Sequence, residues 1–248
     1  SKAFDCLNHR KLLAKLKHYG ITGNANNLIN SYLSNRQQFV QHSNLKSDPL
    51  PLTNGVPQGS ILGPFLFLVH LNDFPSASSK FSMVNYADDT ALISCLSSFT
   101  DSTCNTSNTI SEELNKITEW LCHNDLRVNE SKSKVIFFDI SKTNSTRTIN
   151  PILKMNENPL EHVEHFNYLG VEIDSRMSWN HHINILSSKL AKVIGTLSRL
   201  RFFLPSHTLK IIYDSLFDSR LRYGILAWGN STKKLQALQK KAIRLVCK

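Results

Sequence analysis

The sequence predicts an α+β domain followed by an all-helical region. Up to about residue 140, short apolar and β-branched runs alternate with segments of helical periodicity, which is typical of a sheet that helices cover on one face. From Trp179 onward, the apolar residues recur at helical spacing only. A hydrophobic content of 41% suffices for a sizeable core and argues against a disordered chain.

The N-terminal elements follow from local signals. A helix is predicted from Asn8 to Tyr19, and Gly20 can cap its end. Leu12 and Leu16 share one face of this helix, so that face should be buried. The other elements predicted before residue 81 are the end of a strand at 1–4, a helix at 24–33, a strand at 38–40 and a loop at 47–54.

A glycine-bounded turn, Gly55 to Gly59, precedes an apolar helix predicted from Ile61 to Asn72. One interpretation is an ordinary loop that opens a buried helix. The other is a backbone surface that a nucleotide or a template base can approach closely, because glycine carries no side chain.

Two short apolar runs on either side of residues 85–90 predict a β-hairpin, with Asp88 and Asp89 at its turn. Asp tolerates turn backbone conformations, so a plain turn is the simpler interpretation. Adjacent carboxylates repel each other, however, and a divalent cation would convert that repulsion into a binding site. The hairpin alone does not decide between these interpretations.

Further elements are predicted between this hairpin and residue 178. Thr109 and Glu112 fit a capping box that begins a helix, in which Trp120 is interpreted as a core residue rather than a base-stacking platform. The remaining predictions are a surface loop at 94–108, a strand at 135–138 and a polar linker hairpin at 141–158.

The C-terminal region combines apolar stripes with basic faces. Leu186, Leu190 and Leu197 lie on one helical stripe, and Pro205 begins a further helix. The basic residues singled out on other faces are Lys189, Lys192, Arg199, Lys240 and Lys241. Such helices are either solvated amphipathic helices or a surface that grips a phosphate backbone, and the concentration of positive charge here favours the second.

Overall charge and cysteine pattern limit the class of protein. The formal charge of +10 and the pI near 9.4 favour a nucleic-acid partner over a membrane surface. The longest apolar run, 61–69, is too short to span a bilayer. Five cysteines without zinc spacing suggest reduced thiols, so we expect an intracellular protein of the nucleus or cytoplasm, with no targeting signal visible.

Five motifs occur in a fixed order along the chain. They are Ala3-Phe4-Asp5, the run Gly55-Val56-Pro57-Gln58-Gly59-Ser60, Tyr86-Ala87-Asp88-Asp89, Asn129-Glu130-Ser131-Lys132 and Tyr168-Leu169-Gly170. In this order the chain closely resembles the reverse transcriptases of non-LTR (LINE-type, jockey-like) retrotransposons, over essentially its whole length. The second and third motifs together are far more specific than either alone.

The resemblance implies an architecture. Residues 1–140 would form a partial polymerase palm, an antiparallel sheet covered by helices on one face. Residues 141–178 would form a linker and a primer-grip-like hairpin, and 179–248 a helical, basic, thumb-like region, with the fingers missing.

The resemblance also implies a reaction and its partners. A DNA primer on an RNA template would be extended with deoxynucleoside triphosphates, using two Mg²⁺ ions, with Mn²⁺ as the alternative. Asp88 and Asp89 would hold metal, and Lys132 would act near the triphosphate. Nucleotide and template contacts would come from Phe4, Pro57, Gln58, Gly59, Ser60 and Tyr86, and primer contacts from Tyr168, Leu169 and Gly170.

Three alternatives stay open at this point. Lys134 competes with Lys132 for the role near the triphosphate. Phe4 is either a core residue or the ring that excludes a ribose 2′-hydroxyl. Viral RNA-dependent RNA polymerases look similar in outline, but Phe4 and the Tyr-Ala-Asp-Asp sequence favour a reverse transcriptase.

The chain begins inside the first motif, so we expect a fragment. The family pattern Asp-x-x-x-Ala-Phe-Asp places its leading aspartate two positions before Ser1. The chain alone is therefore expected to be inactive as a polymerase. A degenerate remnant that binds nucleic acid without catalysis is the alternative function, and the oligomeric state is not indicated.

Overall fold

The structure is a computed structural model that describes residues 3–99, 106–139, 151–229 and 233–247. It divides into two compact units, each described by itself. Unit 1 comprises Ser1–Ser133 with Ile149–Leu160, and unit 2 comprises Lys134–Thr148 with Glu161–Lys248. The division of the chain into palm, linker and thumb-like segments, which rests on the family resemblance, stays a prediction.

Unit 1 is built on helices that share one apolar core. The helices are α1 (His9–His18), α2 (Gly23–Leu33), α3 (Leu62–Leu71) and α4 (Thr106–His123). Short 3-10 turns lie at Ala3–Asp5, Phe74–Ala77, Leu96–Phe99 and Glu130–Lys132. Leu12, Leu16, Leu66 and Phe67 are buried at the centre of this core, as apolar side chains at helical spacing require.

The strands of unit 1 form hairpins and a small antiparallel ladder. The strands are β1 (Gln37–Gln38), β2 (Gln41–His42), β3 (Leu45–Lys46), β4 (Leu50–Pro51), β5 (Ser82–Tyr86), β6 (Asp89–Ile93), β8 (Lys154–Met155) and β9 (Asn158–Pro159). The pairs are β1 with β4, β2 with β3, β5 with β6, and β8 with β9, all antiparallel. The β5–β6 hairpin is the longest of them and carries the paired aspartates.

Unit 2 combines short strands with a helical bundle. Its strands are β7 (Lys134–Val135), β10 (Glu161–His162), β11 (His165–Tyr168) and β12 (Val171–Asp174); β7 pairs with β10 in parallel, and β11 with β12 antiparallel. The helices are α5 (Asn180–Leu200), α6 (Ser206–Ile212), α7 (Ser219–Arg222), α8 (Ile225–Trp228) and α9 (Lys233–Val246), with a π-helical turn at Tyr213–Asp218. Leu190, Leu197, Phe217 and Trp228 lie in the buried core.

Several local predictions are confirmed. The α+β class is correct, Asn8 caps α1 by accepting the Lys11 N–H, and Gly20 follows the helix with φ +87°. The apolar stripe of α5 is buried as predicted. Trp120 packs with the core of unit 1, against the ring of Phe74 at 4.8 Å. No helix among the described residues has the length and apolarity needed to cross a membrane.

Other predictions are wrong in their bounds. The predicted strand end at 1–4 contains a 3-10 turn, the predicted strand at 135–138 is regular only over Lys134–Val135, and the predicted strand at 38–40 breaks after Gln38. The predicted loop at 47–54 contains β4. The secondary structure of each of these segments depends on the neighbouring segment that it contacts. The pattern of apolar residues within one segment does not show which neighbour that is.

Helix α4 and the sheet also differ from expectation. The helix begins at Thr106, so Thr109 and Glu112 lie inside it and cannot form the predicted capping box. Instead of one sheet covered by helices, the strands of the described residues form six two-stranded sheets. The palm assignment thus stays a prediction, and residues 141–150 of the predicted linker lie outside the described residues.

Candidate active site

The β5–β6 hairpin presents the paired aspartates at a tight turn. Tyr86 pairs with Asp89, so the loop contains only Ala87 and Asp88. Ala87 has φ +52°, a left-handed conformation that a two-residue hairpin turn commonly demands. Asp88 therefore lies at the tip of the hairpin and Asp89 at the first position of β6, and both residues are exposed.

The register places Asp89 on a defined face of the hairpin. Residues directly opposite in an antiparallel pair point to the same face, so Asp89 shares a face with Tyr86. On the other face, Thr90 Oγ1 donates to Asn85 Oδ1 at 3.0 Å, which supports the same register. Tyr86 is 64% exposed, so its ring stands beside Asp89 with most of its surface in solvent.

The two carboxylates fit the oxygen ligands that Mg²⁺ prefers. Mg²⁺ usually binds one or two protein carboxylates and completes its shell with water and substrate phosphates. Asp88 at the hairpin tip and Asp89 at the start of β6 can each supply such a carboxylate. Within the described ranges, no group of three or more His, Cys, Asp or Glu side chains could hold a metal ion.

The turn from Gly55 to Gly59 (the glycine loop) packs directly on Ala3-Phe4-Asp5 (the N-terminal motif) and on Leu7. Gly55 N–H donates to Leu7 O at 2.7 Å, and Val56 N–H donates to Phe4 O at 3.0 Å. Gly55 has φ +85°, and a Cβ there would lie 2.9 Å from the Cα and the carbonyl oxygen of Asp5. Only glycine allows this close approach, so the backbone of Gly55 is covered by the N-terminal motif and is closed to a ligand on that side.

Gly59 at the other end of the loop is different. It has φ +81°, but a Cβ built there would meet no described heavy atom within 4 Å. The backbone at Gly59 is therefore open to a ligand. Of the two glycines that bound the turn, Gly59 is the one named as a contact residue from the sequence, and its backbone is the open one among the described atoms.

Ser60 is held by a hydrogen-bond cluster within unit 1. Its Oγ donates to Pro57 O at 2.8 Å and accepts from the N–H of Gly63, in the first turn of α3, at 3.0 Å. Tyr32 Oη donates to the same oxygen at 2.7 Å. These bonds connect α2, the glycine loop and α3, so Ser60 fixes the shape of the loop.

Two residues of the N-terminal motif, Asp5 and Phe4, have partners elsewhere in unit 1. Gln58 Nε2 donates to Asp5 Oδ1 at 2.9 Å, although the two residues are 53 positions apart. The ring of Phe4 lies 4.4 Å from that of Phe67 and packs against the core of unit 1. Core packing of Phe4 is thus observed, while its contact with a sugar stays a prediction.

The two competing lysines have different surroundings. Lys134 pairs with Glu161, so its ammonium is already engaged. Lys132 ends the 3-10 turn of Glu130–Lys132 and is exposed, and its ammonium makes no hydrogen bond or ion pair with a described residue. This difference favours Lys132 as the lysine that can reach a substrate phosphate.

The predicted primer-grip hairpin lies in unit 2 and is firmly held. Leu169 and Gly170 form its two-residue turn with φ +49° and +84°, as a type I′ turn requires. Tyr223 Oη donates to Leu169 O from the end of α7. A cavity of about 280 Å³ borders the hairpin and is lined in part by Gly170, Lys189 and Tyr223.

Buried polar groups support the base of this hairpin. His182 Nδ1 accepts the N–H of Glu172 at 3.3 Å, and burial lowers the pKa of His182. The Asp174 carboxylate accepts the N–H groups of Ser178 and Trp179 at 2.9 and 2.8 Å. Burial raises the pKa of Asp174, but these bonds to its charged form outweigh burial and hold the pKa below its usual value.

The basic residues predicted to contact nucleic acid are exposed on two helices. Lys189, Lys192 and Arg199 lie on α5, and Lys240 and Lys241 lie on α9. Residues 179–248 contain thirteen Lys and Arg and only two acidic residues, so this part of the chain accounts for the positive charge of the whole. Such a balance is typical of a phosphate-binding surface.

A comparison with known proteins decides the family. The model of the family described as reverse transcriptase (RNA-dependent DNA polymerase) matches residues 1–173, well over half of the chain. The chain belongs to the reverse transcriptase family. The resemblance that the motifs predicted is confirmed.

Curated relatives extend the match beyond residue 173. The RNA-directed DNA polymerase from mobile element jockey of Drosophila melanogaster is 27% identical over 99% of this chain and 27% of its own length. The probable RNA-directed DNA polymerases from transposon X-element and transposon BS of the same organism are 28% and 27% identical, each over 99% of this chain and 27% and 28% of their own lengths. The chain thus spans about a quarter of the length of these relatives.

The structure brings some of the predicted reverse transcriptase residues together. Gln58 donates to Asp5 and Val56 N–H donates to Phe4 O, so the glycine loop contacts the N-terminal motif, while Ser60 connects the same loop with α2 and α3. The apolar core that Phe4 joins draws on α1 to α4 and, among the described residues, includes none of the β5–β6 hairpin. Asp88 and Asp89 belong to the same unit as these residues.

Within each unit, sequence reasoning missed residues that hold the predicted site residues in place. Tyr32 and Asp5 hold Ser60 and Gln58, yet only Asp5 lies in a recognisable motif. Tyr223 and Asp174 support the β11–β12 hairpin and the turn that follows it. A lone tyrosine or aspartate carries no local pattern, so these roles become visible only when the partner residues are known.

Proposed function

We propose that this chain is the palm and thumb-like part of an RNA-directed DNA polymerase of a non-LTR retrotransposon. The observation that carries the proposal is the two-residue turn that presents Asp88 and sets Asp89 beside Tyr86, in a chain of the reverse transcriptase family. The substrates would be an RNA template, a DNA primer and deoxynucleoside triphosphates.

Asp88 and Asp89 would hold Mg²⁺ together with the phosphates of the incoming nucleotide. In nucleotidyl transfer, bound divalent ions would stabilise the negative charge on the attacking oxygen of the primer and on the leaving oxygen of the pyrophosphate. Asp88, at the hairpin tip, is proposed as the stronger ligand. Mn²⁺ is the alternative ion, because it takes the same oxygen ligands.

Other residues of the chain would position the substrates. Phe4 would lie under the sugar of the nucleotide and leave no room for a ribose 2′-hydroxyl, so deoxynucleotides are preferred. Gly59 would allow a base or sugar to approach its open backbone. Lys132, whose ammonium is exposed, would contact the triphosphate and donate a proton to the leaving pyrophosphate.

Unit 2 would hold the product duplex. The hairpin tip at Tyr168, Leu169 and Gly170 would support the primer strand, since its turn is fixed by Tyr223. The exposed basic faces of α5 and α9, which include Lys189 and Lys241, would contact the phosphates of the duplex without preference for its base sequence.

Metal binding can be measured on the 248-residue chain itself. Tb³⁺ prefers oxygen ligands, and its luminescence is sensitised by an aromatic ring close by, which Tyr86 supplies beside Asp89. Asp88→Asn should lower the sensitised luminescence at a given Tb³⁺ concentration, and added Mg²⁺ should compete in the parent chain. Asp48→Asn, an exposed aspartate of the same unit, is the matched control and should leave the signal unchanged.

Polymerase activity needs a second assay. Primer extension on an RNA template should be measured for the 248-residue chain and for a version extended upstream through the complete first motif. The extended version should incorporate deoxynucleotides, and its Asp88→Asn variant should not, while both retain nucleic-acid binding. Binding without extension in every version would support the alternative function, a non-catalytic remnant.

A further inference from the structure

The turn between α5 and α6 exposes two adjacent phenylalanines. Phe202 is 72% exposed and Phe203 is 82% exposed. Leu200 and Leu204, on either side of them, pack against the core of unit 2. The pair therefore projects from a turn that is anchored at both ends.

The backbone of this turn is hydrogen-bonded as well as anchored. Phe203 N–H and Leu204 N–H both donate to Leu200 O, at 2.9 and 3.0 Å. Arg201 N–H donates to Leu197 O at 3.0 Å and continues the helical pattern of α5. Two large aromatic side chains side by side on an ordered turn offer a larger exposed apolar surface than one residue would, and such a surface favours a recognition role.

The sequence around the two rings is basic. The guanidinium carbon of Arg201 lies 4.7 Å from the ring centroid of Phe202. No Asp or Glu occurs between Asp174 and Asp214, while Arg199, Arg201 and Lys210 fall within this stretch. Phe203 carries no such stacked cation among the described contacts, so its ring is the more open of the two.

We propose that Phe202 and Phe203 form a stacking platform for unpaired bases of a single-stranded nucleic acid. A base stacks on the open ring of Phe203, and Arg199 and Arg201 bind the phosphates that flank it. Stacking on an aromatic ring tolerates any base, and cations beside the ring hold the backbone. The proposal rests on the proposed function only for the class of partner, since a polymerase must handle template that is not yet paired.

The positive charge around Phe202 and Phe203 favours a single-stranded nucleic acid over an apolar protein surface as the binding partner. Cations with no interspersed acid complement a polyanion, whereas an apolar partner would leave Arg199 and Arg201 unmatched. A membrane with anionic lipids would share the charge complementarity. The membrane differs from nucleic acid in having no bases to stack, and the experiment separates the two.

The test is fluorescence anisotropy of labelled strands with the 248-residue chain. The probes are a single-stranded oligothymidylate and a strand of equal length whose sugars carry no bases. The parent chain should bind oligothymidylate about 10-fold more tightly than the abasic strand. Phe203→Ala should remove most of that preference, and Ile211→Ala, an exposed apolar residue of α6, should keep it.

A second variant separates stacking from charge. Arg201→Gln should weaken binding of both strands by a similar factor and reduce the slope of log K against log salt by about 1. Buffer with a chelator keeps divalent ions out, so failure of the Asp88 metal site leaves this result unchanged. Both rings are exposed, and an unchanged thermal transition will show that Phe203→Ala is folded.

Three outcomes would overturn the stacking platform. The first is equal affinity of the parent chain for the two strands. The second is unchanged affinity of Phe203→Ala for oligothymidylate. The third is binding of phosphatidylserine vesicles that depends on Phe203 while binding of oligothymidylate does not, which would assign the surface to a membrane.

Discussion

Replacing Asp174 by asparagine should destabilise unit 2, because one carboxylate organises the turn between β12 and α5. Asp174 is only 6% exposed. Its Oδ1 accepts the N–H groups of Arg176 and Ser178 at 3.1 and 2.9 Å, and its Oδ2 accepts the N–H of Trp179 and the hydroxyl of Ser178 at 2.8 and 3.2 Å. Trp179 has φ +62°, which these bonds help to hold.

The magnitude follows from which of these bonds survive. An asparagine oxygen can replace Oδ1, but its NH₂ group cannot accept the two donors that Oδ2 receives. A hydrogen bond to a charged group contributes about 1.5–3 kcal/mol, and the two remaining bonds lose the charge. We expect the free energy of unfolding to fall by about 3 kcal/mol.

The assay is denaturant unfolding followed by tryptophan fluorescence. Trp120 lies in unit 1, so a Trp120→Phe background limits the signal to Trp179 and Trp228, both in unit 2. Asp214→Asn replaces an exposed aspartate of the same unit and should change the free energy by less than about 0.5 kcal/mol.

The pH dependence gives an independent check with a defined sign. The pKa of Asp174 in the folded chain lies below its ordinary value of 3.8. Its stabilising contribution is therefore fully present above about pH 5 and is lost as the pH falls through the lowered pKa. The difference in unfolding free energy between the parent and Asp174→Asn should be constant from about pH 7 to 5 and shrink below about pH 4.

Two results would refute this reasoning. One is a loss below about 0.5 kcal/mol in Asp174→Asn, which would mean that the turn forms without the carboxylate. The other is a difference between the two proteins that persists unchanged down to about pH 3, which would mean that the charged form is not what the turn binds.

Single substitutions also test backbone geometry, sugar selection and salt dependence. Gly55→Ala should lower the unfolding free energy by about 2 kcal/mol more than Gly59→Ala, because both have φ near +80° but only Gly55 lies against the backbone of Asp5; equal losses would contradict the close approach. Phe4→Ala in the extended polymerase should raise the incorporation of ribonucleotides relative to deoxynucleotides, and an unchanged ratio would leave Phe4 as a core residue only. Lys240→Gln should reduce the salt dependence of duplex binding by about one unit of slope, and an unaltered slope would remove this residue from the phosphate contacts.

The parts of the site that could be predicted depend on neighbours along the chain. The β5–β6 hairpin requires only two apolar runs and a turn that Asp tolerates, so Asp88 and Asp89 were placed correctly. Helix α1 was predicted within one residue at each end, because Asn8 and Gly20 are local caps.

The failures share a different cause. Lys134–Val135 stays regular only where β10 lies beside it, and β4 exists because β1 pairs with it. Helix α4 begins earlier than the capping box suggested, because a Thr-x-x-Glu spacing also occurs inside helices. Pairing partners far along the chain decide such boundaries, and a single segment does not name its partner.

The family, the helical stripes, the basic C-terminal region and the aspartate turn could all be read from the order of the residues. The three-dimensional structure adds that Gln58 binds Asp5 and that Gly55 is covered while Gly59 is open. It also shows that Lys134 pairs with Glu161, whereas the ammonium of Lys132 has no partner among the described residues. The difference comes from the separation, along the sequence, of the residues that are in contact. Periodicity and caps report interactions within a few residues, whereas these contacts join residues 27 to 53 positions apart, and folding alone brings them together.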